Sequence, residues 1–130
     1  MRRERFERLV REAFDSLPEE FRRRIENVAI VVEDVPRGQE DPGRLLSKDP
    51  DEVLLMGEFI GIPQTARSCW DVPAGPDHIL LYEKNIEAVC ATDDEIREEI
   101  RLTLWHELGH YFGRRRRFVR PARLAVRIDC

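Results

Sequence analysis

A chain of 130 residues is long enough to bury one hydrophobic core and too short for two, so it reads as a single domain. Hydrophobic residues make up 42% and charged residues 37%, which excludes wholesale disorder. No apolar run approaches the ~20 residues of a membrane span, and the charged start Met1-Arg2-Arg3-Glu4-Arg5 has no signal-peptide core; the expected location is the cytoplasm, with no membrane partner.

Residues 3–16 place Phe6, Leu9, Val10, Ala13 and Phe14 at the three-to-four spacing of an amphipathic helix. Leu17-Pro18 ends it and starts a second, short helix to about Asn27, expected to bury Phe21 and Ile25. Val28 to Val32 is β-branched and reads as a buried strand. Residues 36–51 carry Pro36, Gly38, Asp41-Pro42-Gly43 and Asp49-Pro50 and read as a loop. Val53 to Phe59 is a second strand candidate, and His78 to Glu83 a third after a Pro/Gly-rich loop. Asn85 to Ala88 follows as a turn of helix. The order predicts an α+β domain with one small mixed sheet of about three strands against helices.

The last clear element carries the strongest signal. Thr92-Asp93-Asp94-Glu95 is a capping box, with three acids where the helix dipole favours them. Ile96, Ile100, Thr103, Leu104 and Leu108 form the stripe expected to face the core. The helix should run from about Asp93 to Tyr111, with Gly113 as its stop.

His106-Glu107-Leu108-Gly109-His110 lies near the end of that helix. Histidines four apart project from one face, one turn apart, so two ring nitrogens can meet one zinc at ~2.0–2.1 Å. Glu107 lies about 100° round from His106, off the metal tetrahedron but able to hold a metal-bound water. Zinc lowers the pKa of such a water to ~7, and a neighbouring carboxylate can take its proton as it attacks a carbonyl. The expected sites are therefore His106 and His110 for zinc and Glu107 as catalytic base. Gly109 inside a helix costs about 1 kcal/mol against alanine, a hint of close packing.

With these residues in view the chain resembles the small bacterial zincin-like metallopeptidases that carry a matrix-metalloprotease-like domain. The resemblance runs over most of residues 1–113. It includes Leu17-Pro18-Glu19-Glu20-Phe21, the Asn27-to-Glu33 strand, Leu55-Met56-Gly57-Glu58-Phe59, Ile79-Leu80-Leu81-Tyr82, and Thr103-Leu104-Trp105 leading into the histidine motif and Gly113. It implies a minimal zincin fold over 1–113, zinc as cofactor, and hydrolysis of a peptide or protein substrate. His106 and His110 match the ligands and Glu107 the base.

One departure stands out. The family pattern expects an acidic or histidine ligand three residues after Gly113, where this chain has Arg116 within Arg114-Arg115-Arg116-Arg117. Arginine stays protonated and cannot bind zinc. Three explanations remain open: Asp129 or Cys130 of a folded-back tail supplies the ligand, a partner chain or solvent completes the sphere, or the tail from Arg114 is not the ancestral one and leaves a weak two-histidine site. The alternative function is then a non-catalytic metal-binding or peptide-binding module.

The remaining features are secondary. Net charge is −4, but residues 25–112 carry 19 acidic and 7 basic side chains while residues 113–130, the basic tail, carry seven arginines and one aspartate. The acidic body, and Phe118 as the tail's lone aromatic, argue against a nucleic-acid interface. Cys69, Cys90 and Cys130 form no CxxC pair and read as ordinary thiols. His78 reads as a strand-end residue, Tyr82 and Tyr111 as packing tyrosines, and Trp70 and Trp105 as core. The resemblance to zincins implies that the Ile79-to-Glu83 strand, as an exposed edge near the metal, could bind peptide by strand addition.

Overall fold

The computed structural model describes residues 1–25, 27–61, 77–111 and 119–121, with only the backbone described at 110, 111 and 119–121. The fold is α+β, with five helices among the described residues and the longest near the C-terminal end. Helix α1 (Arg3–Asp15) buries Phe6, Leu9, Val10 and Ala13, four of the five positions its spacing predicts, while Phe14 is partly buried.

The second helix is shorter than expected. Helix α2 spans Glu19–Arg22, after which the chain tightens into turns, with Arg24 N donating to Phe21 O and Ile25 N to Arg22 O. Asn27 then takes a left-handed φ of 54°, a conformation its short polar side chain tolerates, and feeds the chain into the first strand. Phe21 is 39% exposed rather than buried, and Ile25 is partly buried.

Strand β1 (Val28–Glu33) runs parallel to β4 (Asp77–Tyr82), from Val28 opposite Asp77 to Glu33 opposite Tyr82. Strand β3 (Gly57–Ile60) lies antiparallel on the other side of β4, Gly57 opposite Leu81 and Ile60 opposite His78. Among the described strands the order β1-β4-β3 makes β4 central, so Ile79 to Glu83 is not the exposed edge considered for it. That position explains why Ile79, Leu81 and Tyr82 are all buried, whereas β1 is half-buried with only Val32 inside.

The single strand expected over Val53 to Phe59 is two strands in two sheets. Strand β2 (Val53–Leu55) pairs antiparallel with β5 (Val119–Pro121), and the chain changes sheet at Met56, which is wholly buried. The Met56 carbonyl accepts from Tyr82 N at 3.0 Å, anchoring the crossing to β4. The apolar run Val53-Leu54-Leu55-Met56 continues into the crossing and does not mark it.

The loop expected over 36–51 contains helix α3 (Pro42–Lys48). Asp41 is its N-cap, accepting from Arg44 N at 3.3 Å, and Pro42 opens the first turn. Asp-Pro is thus a helix start here rather than a breaker.

Helix α4 (Glu83–Ala88) is fixed by buried polar bonds. Asn85, with no exposed surface, donates to Leu55 O at 2.9 Å and exchanges amide hydrogen bonds with Gln39 at 2.7 and 2.9 Å. Arg3 donates to Glu83 at 2.6 Å and to Val32 O at 3.0 Å, and pairs with Asp34, tying α1 to the end of β1 and the start of α4. Helix α5 (Asp93–Tyr111) packs on α1, α4, β3 and β4. No helix among the described residues is long and apolar enough to cross a membrane.

Helix α5 and the sheet pack tightly at Gly57, where a Cβ would stand 2.8 Å from the Thr103 methyl of α5 and 2.9 Å from Leu80 O. Gly57→Ala should therefore cost about 1–3 kcal/mol through overpacking, read as a lower urea midpoint at unchanged slope.

Glu83 gives a pH-dependent prediction. Burial, and a hydrogen bond with Glu87, push its carboxyl above the usual carboxylate range, while Arg3 pulls the other way. A carboxyl whose folded-state pKa is raised favours its protonated form in the folded chain. Its contribution is full below the ordinary carboxylate pKa and is lost as pH rises through the raised value. Urea midpoints should accordingly fall across that interval in wild type, and fall less in Glu83→Gln.

Candidate metal centre

The site depends on where α5 begins. Glu95 N donates to Thr92 Oγ1 at 3.2 Å, and the Glu95 carboxylate accepts from Thr92 N at 3.2 Å and Ala91 N at 2.5 Å, so the capping box forms as the sequence predicts. On the outer face Arg97 pairs with Asp94 and Arg101 with Glu98, three residues apart. On the inner face Ile96, Ile100, Thr103, Leu104 and Leu108 are all buried, so one face of four turns is pinned to the core.

With the helix axis held by that stripe, helical geometry orients the motif. His106 is half-buried on α5, and Glu107 is 1% exposed. The His110 backbone continues the same helix to Tyr111, which keeps the two histidines one turn apart on one face. The His110 side chain lies outside the described residues, as do Gly113, Arg116, Asp129 and Cys130. Among the described residues no three His, Cys, Asp or Glu side chains come together as a metal cage.

Burying a carboxylate to 1% exposure is costly unless charge or hydrogen bonds compensate it. Glu107 therefore stands apart from Glu98 and Asp94, which lie in solvent on the same helix. Two turns before His106 on the same face, Glu99 is 3% exposed, a second buried acid that sequence reading did not single out. Its seven-residue spacing from His106 was the available signal.

Other expected residues fall as follows. His78 is the second residue of β4, half-buried between Ala29 of β1 and Ile60 of β3. Tyr82 is 4% exposed and bonds Glu58 at 3.3 Å, a packing tyrosine. Trp105 corrects the sequence expectation: it is 41% exposed rather than core, because it points about 100° away from His106 and off the buried stripe. Cys90 is a half-buried thiol in no disulfide, while Cys69 and Trp70 lie outside the described residues.

The model of the zincin-like metallopeptidase family matches residues 25–123, about three quarters of the chain and the whole of α5. The chain belongs to the zincin-like metallopeptidase family. The match takes in every strand and the histidine motif. Among solved structures, the chain is similar to a conserved hypothetical protein from Thermo thermophilus, at 24% identity and a TM-score of 0.50, over 83% of this chain and 91% of that one. That likeness supports the fold alone. No curated protein matches the chain.

Removing either imidazole tests the donor set. If these two imidazoles hold a metal, His106→Ala and His110→Ala should each abolish the zinc binding that wild type shows in a calorimetric titration. Sub-micromolar affinity surviving in both would show that the metal sits elsewhere.

Proposed function

We propose that the chain is a zinc-dependent peptidase in which His106 and His110 hold the ion and Glu107 acts as catalytic base. The observation that carries this is the burial of Glu107 beside half-buried His106 on a helix fixed at both its cap and its core face. Family membership supports it, as does the chemistry of the donor set. Two neutral imidazoles one turn apart suit zinc, and a carboxylate on the adjacent column is close enough to serve it without competing for it. When bound, the ion would polarise the scissile carbonyl and make water acidic enough to react near neutral pH.

The protein's own residues do the rest. Glu107 takes a proton from the attacking water and passes it to the departing amine, so one carboxylate serves as base and then acid. Its low exposure shields that exchange from bulk water. Strand β3, at one end of the described strand order, packs against α5 and so lies on the same side of the domain as the motif helix.

The non-catalytic reading rests on one observation, Arg116 at the position of the third ligand. A site limited to two imidazoles binds zinc more weakly than one with three protein ligands. Incubating a denatured protein mixture with zinc-loaded wild type and Glu107→Gln separates the readings. Peptidase function predicts cleavage by wild type, at least about 100-fold loss in Glu107→Gln, and retained zinc affinity. Zinc binding without cleavage in either form supports the binding module, and cleavage persisting in Glu107→Gln removes Glu107 from the mechanism.

A further inference from the structure

Among the described residues, the Thr103 hydroxyl on α5 is wholly buried and has no hydrogen-bond partner. A threonine inside a helix commonly bonds the carbonyl four residues back; Thr103 does not. A buried hydroxyl without a bond is costly, so valine, which has the same shape, would be the more stable residue at this packed position. The side chain is not free to turn away. Its methyl lies 2.8 Å from where a Cβ on Gly57 would stand, so packing selects one of the two χ1 wells open to a helical threonine.

Its neighbours along the same side of the helix are acids. Glu99 and Glu107, four residues before and four after Thr103, are 3% and 1% exposed. Side chains on a helix lean towards its N-terminus, over the preceding turn. Glu99 therefore leans away from Thr103, whereas Glu107 leans onto it. The Cβ atoms of residues four apart lie about 5–6 Å from each other, a gap that a glutamate side chain spans to reach a hydroxyl. The last torsion of a glutamate is broad, so a turn of the carboxylate brings an oxygen to the donor. With two oxygens and about four lone-pair positions, the carboxylate has room for this bond beside the interaction that already engages Glu107.

We propose that Thr103 is a positioning residue for Glu107, its buried hydroxyl donating to one carboxylate oxygen and leaving the other to the attacking water. The catalytic consequence rests on the peptidase reading; the hydrogen bond does not. A first test therefore uses the metal-free full chain in EDTA and reads urea midpoints. Thr103→Val keeps the shape and the methyl on Gly57 and removes only the hydroxyl. It should lower the midpoint by about 0.5 M in the wild-type background. In the Glu107→Met background no carboxylate is left to receive the bond, and the same change should raise the midpoint instead. A rise in both backgrounds, or equal shifts in the two, overturns the proposal. A second test follows a peptide that the zinc-loaded wild type cuts. Thr103→Val should lower kcat at least about tenfold with KM and zinc affinity unchanged. Thr103→Ser packs less well but restores the hydroxyl, and should recover most of that loss. Unchanged kcat in Thr103→Val, or losses that follow stability in both variants, overturns the positioning role. Opposite midpoint shifts in a chain that cuts nothing would instead remove the peptidase reading and leave the bond between Thr103 and Glu107 standing.

Discussion

Helix α5 crosses β3 at a point where neither backbone has room to move. The Thr103 methyl meets Gly57 with no space for a side chain, and the Leu80 carbonyl of the central strand closes the same gap. A contact that tight fixes the distance between helix and sheet to a few tenths of an ångström, since interiors are packed as densely as organic crystals. Ile100, Leu104 and Leu108 then extend the contact along the helix and stop it rotating. Because His106 follows Thr103 by three residues and Glu107 by four, both are oriented by the same crossing. The chemistry of the motif is therefore set by a glycine far away in sequence.

The rest of the domain holds β4 in place beneath that crossing. Arg3 reaches from α1 to Glu83, Asp34 and the Val32 carbonyl, a three-way clasp at the end of the sheet away from His78. Asn85 meets the Leu55 carbonyl and the Gln39 amide, so α4 is bonded both to β2 and to the segment before α3. Such pairings are chosen less for their net energy than because leaving any of these groups unpaired inside would cost about 1–3 kcal/mol or more. A protein with 37% charged residues and a modest core needs polar contacts that specify one arrangement.

Much of α5 was legible because its signals are local. Thr92 and Glu95 are three residues apart, the buried stripe repeats every three or four, and the histidines lie one turn apart, all within a single helix. The α+β class was legible from element order for the same reason. What sequence did not reveal depends on distant partners. Val53 to Phe59 reads as one strand because its apolar run continues through Met56, and only the separate partners β4 and β5 divide it there. Asp41-Pro42-Gly43 fits a loop or a helix start equally well until the Asp41 carboxylate is seen to cap Arg44 N. Phe21 and Trp105 look like core residues because aromatic side chains usually are; their exposure follows from the early end of α2 and from the angle at which α5 meets the core. Burial of Glu107 follows from its position on the same stripe, four residues after Thr103 and three after Leu104, but a carboxylate there did not read as a core residue.

Helix α5 thus has its surface divided among separate tasks. One column packs on the sheet, a second carries the histidines, a third faces solvent through paired Arg97 and Arg101, and a fourth, through Trp105, Leu108 and Gly109, walls a small apolar groove shared with Leu17, Phe21 and Ile25. The dependence of both surfaces on one rigid helix means that changes in its seating on Gly57 would move them as a unit, whereas changes confined to Phe21 or Ile25 would alter the groove and leave the histidine column where the core holds it.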